Sequence, residues 1–118
     1  MNEHEKINYV EFPSADLQKT KLFFTQVFGW EFDDFGPQYT AFTGQGIDGG
    51  FYEADLFSST DNGAALVVFY SNNLQDTLDK IKTAGGKIVK DIFSFPGGRR
   101  FHFSEPCGNE FAVWSENA

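Results

Sequence analysis

The chain has 118 residues, enough for one hydrophobic core but too few for two independent ones, so a single domain over 1–118 is expected. Seventeen acidic residues against nine basic ones give a net charge of -8. Such a surface repels phosphate backbones and anionic lipid, arguing against nucleic-acid and membrane partners, and attracts cations. No apolar run is long enough to span a bilayer, residues 1–6 lack the character of a secretory leader, and the lone Cys107 allows no internal disulfide. A reducing, cytoplasmic location is therefore expected.

In chain order, a β-prone stretch through Val10 and Phe12 leads to Asp16, whose side chain can cap the first free N–H groups of a helix. Leu17, Phe24, Val27 and Phe28 form an apolar stripe behind it, and Gly29 ends it, which predicts a helix over 16–28. Strands are expected at 30–35, 38–43 and 47–53, divided by Gly36-Pro37 and Gly44-Gln45-Gly46. Residues 54–63, with Ser58-Ser59-Thr60-Asp61-Asn62-Gly63, read as a connector. A second strand then leads to Asn73, behind which Leu74, Leu78, Ile81 and Ala84 predict a helix over 73–84, ended by Gly85-Gly86. Strands follow at 87–93, 99–104 and 109–115, divided by Pro96-Gly97-Gly98 and Pro106-Cys107-Gly108.

The two halves are copies. A shift of 57 residues lays Asp16-Leu17-Gln18-Lys19-Thr20 on Asn73-Leu74-Gln75-Asp76-Thr77, and pairs Val10 with Val67, Phe12 with Phe69, Ser14 with Ser71 and Gly29 with Gly86. The fold class is thus α+β: two tandem βαβββ modules, 7–53 and 64–116, whose sheets form a concave cup.

Strand side chains alternate between faces. Val10, Phe12, Val67, Phe69, Phe101, Phe103, Phe111 and Val113 are assigned to the helix side. Tyr9, Glu11, Leu66, Val68, Tyr70, Arg100, His102, Ala112 and Trp114 then share the other side, an apolar surface with a few polar groups suited to a small molecule. Each has a plainer reading. Glu11 and Arg100 suit a surface ion pair, His102 an ordinary strand position, and Trp114 a core or dimer contact. Cys107 sits in a turn with no base in view.

The helix end Phe28-Gly29-Trp30, the second helix end Ala84-Gly85-Gly86 and the closing Glu105-Pro106-Cys107-Gly108-Asn109-Glu110-Phe111 together resemble one superfamily. It is the glyoxalase, bleomycin-resistance protein and extradiol dioxygenase group, or vicinal oxygen chelate proteins. The resemblance implies a homodimer, with the cup closed by two chains in many members. It also implies four inward metal-ligand positions, which fall on Tyr9, near Gly50, on Leu66 and on Ala112. None is an ordinary hard-metal ligand, so neither a metal nor another cofactor is expected. The resemblance further places His102, with Arg100 nearby, where some members bind small anions.

Three functions follow as expectations. The first is a metal-independent protein binding a small molecule in an aromatic cup. The second is a metal-free isomerase or lyase, with Glu11 as base and His102 or Tyr9 as acid. The third is a protein-interaction domain.

Overall fold

A computed structural model describes residues 2–116. The first module runs β1 (Tyr9–Ser14), α1 (Leu17–Phe28), β2 (Phe32–Asp34), β3 (Tyr39–Phe42) and β4 (Asp48–Glu53). A short 3-10 turn at Thr60–Asn62 interrupts the connector. The second module runs β5 (Val67–Tyr70), α2 (Leu74–Thr83), β6 (Lys87–Phe95), β7 (Gly98–Ser104) and β8 (Glu110–Ser115). Each module forms one four-stranded sheet, ordered β1-β4-β3-β2 and β5-β8-β7-β6, with a parallel pair at one edge. The fold is α+β with two βαβββ modules, as the repeat predicts.

The bounds differ where local physics decides them. Asp16 and Asn73 are caps outside their helices, accepting from Lys19 N at 3.2 Å and Asp76 N at 3.1 Å. β6 extends to Phe95 and β7 begins at Gly98, because register shifts in β6 let its ladder continue past the expected end. The turn between them therefore keeps only Pro96 and Gly97. The parallel β1–β4 contact needs Gly49, where an added Cβ would lie 2.4 Å from the Val10 carbonyl oxygen.

The internal repeat extends to the hydrogen bonds. Ser14 Oγ lies 2.8 Å from Thr20 Oγ1 and accepts from Asp16 N, while Ser71 Oγ lies 2.7 Å from Thr77 Oγ1 and accepts from Asn73 N. Each serine thus ties its strand to the first turn of the following helix.

One core serves both modules. Phe24 of α1 is fully buried, with ring centroids 5.6 Å from Phe51 in the first sheet and 5.4 Å from Phe111 in the second. Phe28 stacks on Phe69 at 4.5 Å and 3°, and Phe12 of β1 meets Phe111 of β8 at 5.0 Å. Phe101, Phe103, Phe111 and Val113 all face this core, as alternation requires. Neither half would bury these rings alone, which is why a module of this length depends on its copy. Among the described residues no helix is long and apolar enough to cross a membrane.

Candidate functional site

The two sheets turn their other faces outward, and those faces carry the candidate residues. On the first sheet, β1, β4 and β3 pair so that Glu11 is level with Gly50 and Gly50 with Ala41. Tyr39 reaches across this floor from β3. Its hydroxyl lies 2.5 Å from the Tyr9 hydroxyl and donates to Glu11 Oε2 at 2.9 Å. A carboxylate only accepts, so the single Tyr39 proton goes to Glu11 and Tyr9 must donate to Tyr39. Burial, followed by the bonds to Tyr9 and Glu11, pushes the Tyr39 phenol well above its ordinary value, so it remains a donor. Gly50 makes room for this arrangement: a Cβ there would lie 2.2 Å from the Tyr39 hydroxyl oxygen and 2.9 Å from the Thr40 carbonyl oxygen.

On the second sheet, Val68 aligns with Ala112 and His102, and Tyr70 with Trp114 and Arg100. His102 Nδ1 lies 2.8 Å from Glu110 Oε2, and its Nε2 lies 2.9 Å from Arg100 Nη2. Arginine only donates, so Nε2 accepts and the imidazole proton sits on Nδ1, directed at Glu110. The other Glu110 oxygen accepts from Thr60 N at 2.8 Å and Thr60 Oγ1 at 2.9 Å. Burial alone would raise the Glu110 carboxyl; the Thr60 N–H, His102 and the Thr60 hydroxyl outweigh it and hold the group below its ordinary value. The Arg100 guanidinium lies over the Phe93 ring at 5.7 Å.

Tyr70 packs edge-on against Trp114 at 5.1 Å and donates its hydroxyl to Glu116 at 2.8 Å, a bond that raises the phenol above its ordinary value. Val68, Phe95, Gly97, Arg100, Trp114 and Glu116 line a recess of about 420 Å³. A second recess of about 400 Å³ lies between the modules, walled mainly by Val10, Phe12, Trp30, Phe42, Phe69 and Phe111.

The candidates thus fall into two groups. Tyr9 and Glu11 belong to the first sheet, and Val68, Tyr70, Arg100, His102, Ala112 and Trp114 to the second, while Leu66 is half-buried just before β5. The residues expected on one side of the sheet are carried by two four-stranded sheets, because each module pairs only its own strands. Glu11 and Arg100 form no ion pair; their partners are Tyr39 and His102. His102 and Ala112 are 5% and 0% exposed, so Arg100 and Trp114 present the second face more openly than they do. Cys107 Sγ is 3.5 Å from the Asp16 carbonyl oxygen.

Glu110 and Tyr39 are among the residues of the site not singled out from sequence. Glu110 is in phase with Ala112 and Trp114, so alternation carried the signal. Tyr39 acts across two strands, and nothing local marks it.

The family model described as the Glyoxalase/Bleomycin resistance protein/Dioxygenase superfamily matches residues 6–113. A "Glyoxylase-like domain-containing protein" from Didymella fabae is 26% identical over 125 residues, covering 93% of each chain. Among solved structures, a glyoxalase-related enzyme from Fulvimarina pelagi superposes with a TM-score of 0.78 at 13% identity, over 94% of this chain and 88% of that one. The fosfomycin resistance protein FosX from Listeria monocytogenes gives 0.78 at 18% identity, over 96% and 94%. Lactoylglutathione lyase from Agrobacterium tumefaciens gives 0.69 at 15% identity, over 97% and 96%. At these identities the solved structures show the shared fold alone. The family match adds what they do not, running from the residues before β1 into β8: this chain belongs to the Glyoxalase/Bleomycin resistance protein/Dioxygenase superfamily.

Proposed function

We propose that the chain is a metal-independent protein that binds a small organic molecule against the aromatic open faces of its sheets, acting as a homodimer. The observation that carries this reading is the Tyr9–Tyr39–Glu11 chain lying over Gly50. The resemblance puts two of the four metal-ligand positions at Tyr9 and near Gly50. Here the Tyr9 proton is directed to Tyr39, and Gly50 has no side chain and no room for one. The remaining positions, Leu66 and Ala112, offer no donor atom. This donor set does not fit a divalent ion, and the family's metal chemistry needs that ion to polarise a substrate.

What the faces do offer is ring surface with a few fixed polar groups: Tyr9 and Tyr52 on one, and Tyr70, Phe95, Trp114 and Arg100 on the other. The acid–base alternative has less support, because both ring nitrogens of His102 already have partners.

A thermal-shift panel of planar aromatic compounds tests the proposal, run once with a chelator and once with zinc or manganese. A ligand at a hundred times its Kd stabilises by about 2.7 kcal/mol, or roughly 10 °C for a chain of this size. The expected result is a shift of that order for at least one compound, identical under chelation. Shifts that need metal, or no shift across the panel, would overturn the reading.

A further inference from the structure

We infer that the recess between the modules is a binding site in its own right, apart from the open faces of the sheets. Its ligand is an uncharged, mainly apolar molecule with one hydrogen-bond acceptor, such as an aromatic ketone. The recess, of about 400 Å³, lies along the seam between β1 and β5 and is within the size range of small-molecule pockets. Among the described residues β1 pairs only with β4 and β5 only with β8, so no ladder closes that seam. Val10 and Phe12 reach the recess from β1, Phe69 from β5 and Ile47 from the loop between β3 and β4. No Asp, Glu, Lys, Arg or His stands in its described wall. A charged ligand would give up its hydration there and meet no partner of opposite sign.

One polar group in the wall is unanswered. Trp30, from the helix end Phe28-Gly29-Trp30, is 4% exposed and packs against Phe24 at 4.6 Å and Phe42 at 4.3 Å. Its carbonyl oxygen accepts from Thr25 Oγ1 at 2.8 Å, but its indole N–H has no acceptor among the described residues. That nitrogen is not sealed off either. Among the described side chains, Arg100 Nε is the buried nitrogen that lacks both solvent and a partner. The small opening that the Trp30 ring keeps therefore includes its nitrogen, and the ring stands in the wall of the recess. A buried indole N–H ordinarily has a partner, and this one gains it only from something held in the recess. The other side-chain donors of the wall are committed: the Tyr70 hydroxyl to Glu116 and Gln45 Nε2 to the Thr43 carbonyl. Ring surface and one fixed donor define the ligand class.

The test titrates acetophenone, α-methylstyrene and benzoate into the full chain. The three share one shape and differ in a ketone oxygen, a CH2 group in its place, and a carboxylate. Binding is followed by the indole N–H resonances of Trp30 and Trp114, assigned with Trp114→Phe, so that the recess and the open second face report separately. Acetophenone is expected to saturate a downfield shift of the Trp30 indole proton. It should bind about five-fold more tightly than α-methylstyrene, the worth of one neutral hydrogen bond. Benzoate is expected to leave Trp30 unmoved. Ile47→Phe, which takes up room in the recess from a loop, is expected to weaken acetophenone at least about ten-fold while the Trp30 resonance shows the fold intact. No saturable shift at Trp30, equal affinity for ketone and alkene, benzoate binding as well as the ketone, or undiminished binding in Ile47→Phe would each overturn the inference. Compounds of the thermal panel that move Trp114 alone would leave the open-face reading standing while this one fails.

Discussion

Asn109 Nδ2 donates to the carbonyl oxygen of Pro13 at 2.7 Å, fastening the closing turn of the second module to the first strand of the first. The same nitrogen reaches Glu105 Oε2 at 2.9 Å, and Asn109 Oδ1 accepts from Ser58 N at 2.9 Å. One buried amide thus joins both modules and the connector. The closing motif that carries the family resemblance is, in this chain, a rivet.

Asn109→Ala removes that amide and leaves the Pro13 carbonyl and the Ser58 N–H short of partners. A loss of about 2–4 kcal/mol is expected, since each buried unsatisfied group costs about 1–3 kcal/mol. Urea denaturation measures it directly. A change within about 0.5 kcal/mol, the range of an ordinary surface substitution, would show that the modules are held by ring packing alone.

Glu105 is 2% exposed and accepts from Thr20 Oγ1 at 3.1 Å, from Asn109 and from the Cys107 N–H. Burial raises its carboxyl above the ordinary 4.5, against the pull of the Cys107 N–H, Asn109 and Thr20. A group raised in the folded state keeps its proton where the unfolded chain has lost it. Its contribution is complete below the unfolded value and disappears as pH rises through the folded one. Wild type should therefore gain stability relative to Glu105→Gln as pH falls from neutral toward that ordinary value. Denaturation at several pH values reads the difference, and an opposite slope would refute the assignment.

His102 should be the neutral Nδ1–H tautomer, because Arg100 can only donate to Nε2. Nitrogen-15 NMR of the ring distinguishes the two forms. Glu110→Gln, which can turn its NH2 toward Nδ1, should shift the tautomer balance and loosen Arg100 from its place over Phe93. An Nε2–H ring in wild type would mean that the second face is wired differently.

Gly50→Ala should cost about 1–3 kcal/mol by overpacking, because the methyl group meets both the Tyr39 phenol and the Thr40 carbonyl. Loss of the Tyr39–Glu11 bond should follow, visible as a change in the Tyr39 ring shifts. A neutral substitution would show that the phenol sits elsewhere.

Much of this architecture was legible in the residues. The caps Asp16 and Asn73 and the apolar stripes behind them locate both helices, because each acts over one or two turns of chain, while the 3-10 turn at Thr60–Asn62 was read only as connector. The helix-side rings Phe101, Phe103 and Phe111 followed from simple alternation. The site was less legible. Glu110 lay in phase with Ala112 and Trp114, but its link to His102 depends on β7 lying beside β8 in one register. Tyr39 depends on the alignment of three strands and on a glycine in the neighbouring one. Alternation assigns a side chain to a face but says nothing of which sheet carries it, and strand pairing puts Tyr9 in the first sheet and Trp114 in the second.

The phenol chain of Tyr9, Tyr39 and Glu11 stands where a metal ion would otherwise be gripped. Elemental analysis of protein purified from cells supplied with zinc, manganese, nickel and iron tests this most directly. The prediction is a trace amount per chain, unaltered in Tyr9→Phe or Glu11→Gln. One bound ion per chain that disappears in either variant would contradict it.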